Sequence, residues 1–207
     1  MIDLYYWPTP NGHKISIALE EMGLEYQIFP INISQDDQFQ PDFLKISPNN
    51  KIPAIVDQNG PQGQAISIFE SGAILQYLGR KTGLFYPTDE IKRVAVEQWL
   101  MWQMGGFGPM LGQNHHFSRF APERIAYATE RYLNETKRLY KVLDSQLMGQ
   151  HYVAGEYSIA DMAILPWILR HEWQQIDLED YPNVKAYMQR LTARPAVQRA
   201  LIIQINA

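Results

Sequence analysis

No cysteine occurs among the 207 residues. That excludes a disulfide framework, a thiolate metal site and a redox thiol carried by the chain itself. If sulfur chemistry takes place here, a ligand must bring the sulfur. A basic excess is also missing: 18 Lys and Arg stand against 22 Asp and Glu, for a net charge of -4. Nucleic-acid binders present a basic face, so composition makes no case for nucleic acid. No apolar run approaches the roughly 20 residues that span a bilayer. The first residues, Met1 to Trp7, lack the basic start of a signal peptide and read as a strand. A soluble cytoplasmic protein, with neither membrane nor nucleic acid as partner, is the expectation. Internal repeats and low-complexity tracts are absent as well.

What is present is an ordinary globular composition, 46% hydrophobic and 19% charged, long enough for one large or two small domains. Residues 2–7 read as a strand, broken by Pro8-Thr9-Pro10-Asn11-Gly12. From His13 the apolar positions Ile15, Ala18, Leu19 and Met22 recur at helical spacing, with Gly23 placed as a C-cap. Residues 26–33 give a second strand, joined to the first as a βαβ unit, and a short helix is expected at 41–44. Residues 52–56 and 65–68 form a hairpin, and 71–78 a helix. Beyond the linker the pattern turns helical: 91–104, interrupted at Gly105 to Pro109, then a long amphipathic segment over 123–148. Ser158 and Asp161 suit a capping box, and Pro182 and Pro195 punctuate the last segments. The expected architecture is an α/β domain over 1–80 (βαβ-α-ββα), a linker over 81–90 and an all-α domain over 91–207.

Two short strings carry the chemistry. Asn50-Lys51-Ile52-Pro53-Ala54-Ile55-Val56 delivers a proline to the start of an apolar strand. Phe69-Glu70-Ser71-Gly72-Ala73-Ile74 delivers an acid and a hydroxyl to the first turn of a helix. Proline has no N–H, which leaves the residue before it able to present its backbone outward. A helix start offers free amides and partial positive charge. Together they suit a small peptide-like ligand held by its main chain and its carboxylate. Taken singly, each residue has a plainer reading: Ile52-Pro53 as a turn, Ser71 as an N-cap, Glu70 as a solvated acid. His115 and His116 invite a metal, but neighbouring positions do not share a helix face, so no metal site is expected. Tyr5 and Tyr6 read as sheet residues.

These strings, with Pro8-Thr9-Pro10-Asn11-Gly12-His13-Lys14, Ser47-Pro48-Asn49-Asn50 and Gly106-Phe107-Gly108-Pro109-Met110-Leu111-Gly112-Gln113, resemble the glutathione transferase superfamily over essentially the whole chain. Within it, they look like the bacterial nu-class and fungal Ure-type subgroup. The resemblance implies a thioredoxin-like N-terminal domain with a cis proline at Pro53, and an all-helical C-terminal domain contributing to the second-substrate pocket. It implies that Ile52 pairs by its backbone with the cysteinyl residue of glutathione, and that Glu70 and Ser71 take the γ-glutamyl end. Lys51 and Gln38 would meet the glycyl carboxylate, and Arg131 would reach the ligand across a homodimer. Gln98, Trp102 and Gln103 would line the second-substrate pocket.

One departure decides the mechanism. Where many members of the superfamily place Tyr, Ser or Cys after the first strand, this chain has Thr9 and Asn11. The subgroup puts both beside the sulfur, where donated hydrogen bonds favour the thiolate; the plainer reading is a turn. The expected function is a glutathione-dependent disulfide-bond reductase working by thiol–disulfide exchange, with glutathione, reduced or oxidised, as bound co-substrate and no metal. Conjugation of glutathione to electrophiles is the first alternative, and a non-catalytic glutathione-binding regulatory module the second.

Overall fold

The computed structural model describes residues 1–203 and 205. Among these residues the chain divides into two compact units, 1–84 with 194–207, and 85–193. The first is built on a mixed four-stranded sheet of order β2-β1-β3-β4. Its strands are β1 (Ile2–Tyr6), β2 (Tyr26–Pro30), β3 (Ala54–Asp57) and β4 (Ile66–Phe69). β1 runs parallel to β2 through the crossover helix α1 (Pro10–Glu21), and antiparallel to β3, which pairs antiparallel with β4. A two-residue hairpin could not join parallel neighbours, so the helix between them is required.

The register fixes where function can sit. Tyr5 lies opposite Ala54, and Ala54 opposite Phe69. The chain leaving β1, the chain approaching β3 and the chain leaving β4 therefore meet at one end of the sheet. α2 (Pro41–Ile46) comes before β3, and α3 (Ser71–Thr82) follows β4. β1 and α1 carry the core: Leu4, Tyr6, Ile15, Ile17, Ala18 and Leu19 are fully buried, as are Ile55, Ile74, Leu75 and Leu78. A smaller cluster of Ile31, Phe43 and Ala54, flanked by Tyr5, Ile46 and Ile52, supports the approach to β3. Tyr5 and Tyr6 are strand residues, Tyr5 stacked on Phe29 at 5.1 Å.

The last helix, α9 (Pro195–Leu201), packs on α1 and so falls in the first unit rather than in the helical domain of 91–207. Arg194 makes a two-pronged ion pair with Glu21 at 2.6 and 2.8 Å, and Arg199 reaches Glu20 at 2.7 Å. The anticipated linker is shorter than 81–90: α3 runs to Thr82 and α4 begins at Glu90.

The second unit holds α4 (Glu90–Trp102), α5 (Gly108–His115), α6 (Ala126–Gln146), α7 (Ile159–Ile168) and α8 (Pro182–Thr192). Asp89 caps α4, accepting the Lys92 N–H at 3.0 Å. The expected interruption at Gly105 to Pro109 does not occur. Residues 103–107 continue as a π-helical turn and pass without a break into α5, and 116–120 form a second such turn. Pro109 sits in the first turn of α5, where a missing N–H costs nothing. Gly108 is needed there, because a Cβ would lie 2.6 Å from the Gln103 amide nitrogen. The capping box is present: the Asp161 carboxylate accepts the Ser158 N–H at 2.8 Å, the Val153 N–H at 2.9 Å and the Tyr187 hydroxyl at 2.8 Å. His115 is buried between Trp167 and Trp173, and burial, with Arg170 and Arg119 nearby, pushes its imidazole down to about 4.

Candidate active site

The first side of the site is the start of α1. The helix begins at Pro10, three residues before His13, because Thr9 caps it. Thr9 is extended, and its Oγ1 accepts the Gly12 N–H at 3.2 Å. Proline at the first helical position suits a fixed φ and a missing donor, so it starts this helix instead of breaking it. Gly12 is needed for closeness: a Cβ there would stand 2.2 Å from the Trp7 carbonyl oxygen and 2.9 Å from the Tyr6 ring. That tight turn displays Asn11. A hydroxyl has one donor and two acceptor sites. With Oγ1 accepting from Gly12, the Thr9 proton has no acceptor among the described residues.

The second side is the approach to β3. Ser47, fully buried at the end of α2, donates from Oγ to the Lys51 carbonyl at 2.8 Å, and its own carbonyl accepts the Asn50 N–H at 2.9 Å. Asn50 has φ 49, a left-handed conformation that asparagine tolerates. This clamp sets up Ile52-Pro53, whose peptide bond is cis. Among the described residues the Ile52 N–H and C=O make no hydrogen bond, because the β3 ladder begins only at Ala54.

The third side is the head of α3. Glu70 precedes the helix at φ 69 and ψ 113, a sparsely populated conformation of the kind that clusters at ligand sites. Its carboxylate does not cap α3. An uncapped helix start is a place for an anion. Ser71 begins the helix and is buried, with Lys14 behind it: the Lys14 Nζ lies 3.5 Å from Ser71 Oγ. Burial pulls the Lys14 ammonium down to about 7, with Glu70 pulling the other way.

These three segments enclose a cavity of about 150 Å³ lined by Asn11, Ser47, Lys51, Ile52, Pro53, Phe69, Glu70 and Ser71. Closed ligand pockets measure roughly 300–1,000 Å³, so this one suits a ligand lying partly outside it. It brings together Asn11, Lys51, Ile52, Pro53, Glu70 and Ser71, with Thr9 capping the helix on which Asn11 sits. Gln38 is elsewhere: its Nε2 contacts Asp36 at 3.4 Å, and it does not line the cavity. Arg131 is on α6 in the helical unit, exposed, lining a separate cavity of about 770 Å³ with Tyr127, Glu135 and Arg138. Of the residues expected in the second-substrate pocket, Gln98 is exposed on α4 and Trp102 stacks on Phe107 at 4.9 Å. Gln103 is fully buried, which favours a packing role over a pocket-lining one. Sequence reasoning did not single out Ser47, Phe69 or Lys14. For Lys14 a signal existed: it precedes Ile17 and Ala18 by three and four positions, on a buried helix face.

Residues 1–80 match the family model described as "Glutathione S-transferase, N-terminal domain", and residues 107–195 match "Glutathione S-transferase, C-terminal domain". The chain belongs to the glutathione transferase family. Among curated relatives of this transferase, Disulfide-bond oxidoreductase YfcG of Escherichia coli (strain K12) is 54% identical over 98% of this chain and 95% of its own length. Disulfide-bond oxidoreductase YghU of the same organism is 41% identical over 98% of this chain and 74% of its own. Among solved structures, a glutathione transferase from Pseudomonas putida "with one glutathione disulfide bound per one protein subunit" superposes with a TM-score of 0.94 at 47% identity. It covers 99% of this chain and 92% of that one. A family member from Pseudomonas fluorescens pf-5 "with two glutathione bound" has a TM-score of 0.93 at 46% identity, covering 98% and 93%. The four-stranded mixed sheet with its helices, and the helical unit beside it in sequence, are the glutathione transferase fold.

Proposed function

We propose that this transferase is a glutathione-dependent disulfide-bond reductase, active in the cytoplasm as a homodimer, which borrows its reactive sulfur from glutathione. The observation that carries the proposal is the pairing, in one cavity, of the unbonded Ile52 backbone beside Pro53 with the uncapped head of α3. The cysteinyl residue of glutathione adds to Ile52 as a strand would. Its γ-glutamyl carboxylate meets Ser71 and the α3 amides, while its α-ammonium pairs with Glu70. Lys51 takes the glycyl carboxylate, with Gln38 beside it, and Arg131 is supplied across the dimer. Within this reading, 1–80 binds glutathione, 81–90 links, and 91–207 contributes the second-substrate pocket with Gln98, Trp102 and Gln103.

The Thr9 hydroxyl and the Asn11 amide donate to the sulfur, favouring its thiolate. That thiolate attacks one sulfur of the substrate disulfide, forming a mixed disulfide and releasing the other sulfur as a thiolate that takes a proton from water. A second glutathione thiolate then resolves the mixed disulfide, yielding glutathione disulfide and the second reduced product. Both electrons come from the two glutathiones and none from the chain, consistent with its lack of cysteine. The relatives called disulfide-bond oxidoreductases, and the neighbours holding two glutathiones or one glutathione disulfide, support this reading over conjugation.

The test is turnover of a small mixed disulfide and of an aryl halide, each with excess glutathione. Disulfide reduction well above aryl-halide conjugation is expected. The reverse would establish a conjugating transferase, and glutathione binding without turnover of either would establish a binding module.

A further inference from the structure

Lys14 is a cation in the core for which the reaction above has no use. It sits on α1 one turn beyond Asn11, 2% exposed, with its Nζ against the Ser71 hydroxyl. A methionine would fill the same space at less cost, since an ammonium loses its water on burial and a thioether has little to lose. Packing alone therefore does not account for lysine at this place.

Its surroundings show what it faces. On α3, Glu70 and Ser71 stand at the helix head, while Tyr77 and Lys81 are both bound to Asp57 of β3 at 2.6 and 2.8 Å. Arg80 is exposed. On α9 and its cap, Arg199 and Arg194 are held by Glu20 and Glu21 at the far end of α1. On α1 and β1, His13 pairs with the Tyr6 hydroxyl at 3.0 Å. Glu70 is thus the acid that acts on Lys14, and it lines the cavity.

We propose that Lys14 takes up a proton from solvent when the γ-glutamyl end of glutathione docks, and is then the buried counter-charge of the ligand's carboxylate, reached through Ser71. This rests on the glutathione-binding reading above. The docked ligand completes an alternating row: Lys14 ammonium, ligand carboxylate, ligand ammonium, Glu70 carboxylate. Glu70 turns toward the ligand ammonium, and the carboxylate beyond Ser71 becomes the closest new charge to Lys14. Coulomb attraction across a buried gap favours the charged lysine.

The sign follows from the linkage of binding to protonation. Without ligand, burial holds the Lys14 group at about 7, and the carboxylate raises it. At pH 6 the lysine is charged in both states and no proton moves. At pH 8 it is mostly neutral before docking, and binding draws in on the order of half a proton per site.

The experiment is titration calorimetry of the full chain with S-methylglutathione, which has no thiol proton of its own, at pH 6 and pH 8. Two buffers of different ionisation enthalpy count the protons. The ligand ammonium adds its own share at the higher pH, so the Lys14 contribution is the difference between wild type and Lys14→Met. The expected result is uptake at pH 8 that is absent at pH 6, largely lost in Lys14→Met, with affinity at pH 7 weakened about tenfold. Lys14→Arg, charged throughout, binds without that uptake. Equal uptake in wild type and Lys14→Met, or none in wild type at pH 8, overturns the role of Lys14 and leaves the glutathione site standing. Failure of wild type to bind S-methylglutathione at either pH overturns both.

Discussion

Replacing Thr9 with valine keeps the side chain's shape and removes its hydroxyl, and with it two separate interactions. The first is the cap: Oγ1 holds the Gly12 N–H at 3.2 Å, and losing such a cap costs about 1 kcal/mol of stability. The second is the donated proton, proposed to rest on the glutathione sulfur. A hydrogen bond to a charged group contributes about 1.5–3 kcal/mol, which corresponds to a rise of about one to two units in the bound thiol's pKa. The rate near neutral pH falls by less than the thiolate fraction does, because a more basic thiolate is a better nucleophile. With a Brønsted slope of about 0.45, each unit lost costs only about 3.5-fold, so exchange slows about three- to twelvefold. Glutathione binding stays close to wild type, since the anchors at Ile52, Glu70 and Ser71 are intact. The assay combines urea melts, ultraviolet titration of the bound thiolate and exchange rates across pH, with Thr9→Ser as the variant that retains both functions. If Thr9→Val loses stability while the thiol pKa and the exchange rate hold, Thr9 is a helix cap only and the donor must be Asn11.

Other perturbations test the frame around the site. Gly12→Ala forces a methyl into the Trp7 carbonyl and the Tyr6 ring, and should destabilise by about 1–3 kcal/mol in a thermal melt while weakening glutathione binding. Asp161→Ala strands the Val153 and Ser158 amides and the Tyr187 hydroxyl in a fully buried place, a loss of about 3–5 kcal/mol. Burial raises the Asp161 carboxyl from 3.8 to about 6 despite those hydrogen bonds, so its contribution is fullest below pH 4 and is lost as pH rises through 6. Asp57 behaves in the opposite sense: burial raises it, but bonds from Lys81, Tyr77 and the Asn59 amide outweigh that and hold it below 3.8. Its contribution is present above about pH 4 and fades on acidification, which stability measurements on Asp57→Asn against wild type across pH will show. Pretreatment with a thiol-alkylating reagent, removed before assay, should leave glutathione-dependent turnover unchanged; inactivation would contradict a mechanism whose sulfur is all borrowed.

The sheet and its order were legible because each strand alternates or runs apolar between clear turn residues, and because short connections restrict how strands pair. The start of α1 was not. Pro10 read as a breaker, although a proline preceded by a capping threonine is how a helix begins. Gly105 to Pro109 misled for a related reason: glycines and a proline mark a break in an α-helix, but a π turn absorbs them, and no local pattern announces one. In the site, Asn11, Lys51, Ile52, Pro53, Glu70 and Ser71 were readable from motif and converge on one cavity. Gln38 and Arg131 do not line it, and their placement beside glutathione depends on a ligand and a partner subunit. Lys14 was passed over because a lysine is taken as solvated unless its neighbours at helical spacing are weighed.

The wide turn at 103–107 has a consequence for how the helical unit tolerates change. Phe107, Leu111 and His115 follow one another every four residues, and all three are buried. At about 100° per residue, an ordinary helix would drift by about 40° with each such step. The π turn works as a phase adjuster, resetting the rotation so that one side keeps facing inward. Removing either Gly105 or Gly106 would let the segment wind as plain α-helix and turn everything after it by about 100°. Leu111 would then leave the interior, and His115 its stack against Trp167. At this point along the chain, length is converted into rotation. An insertion or deletion that would pass unnoticed in a loop here re-aims a whole helix.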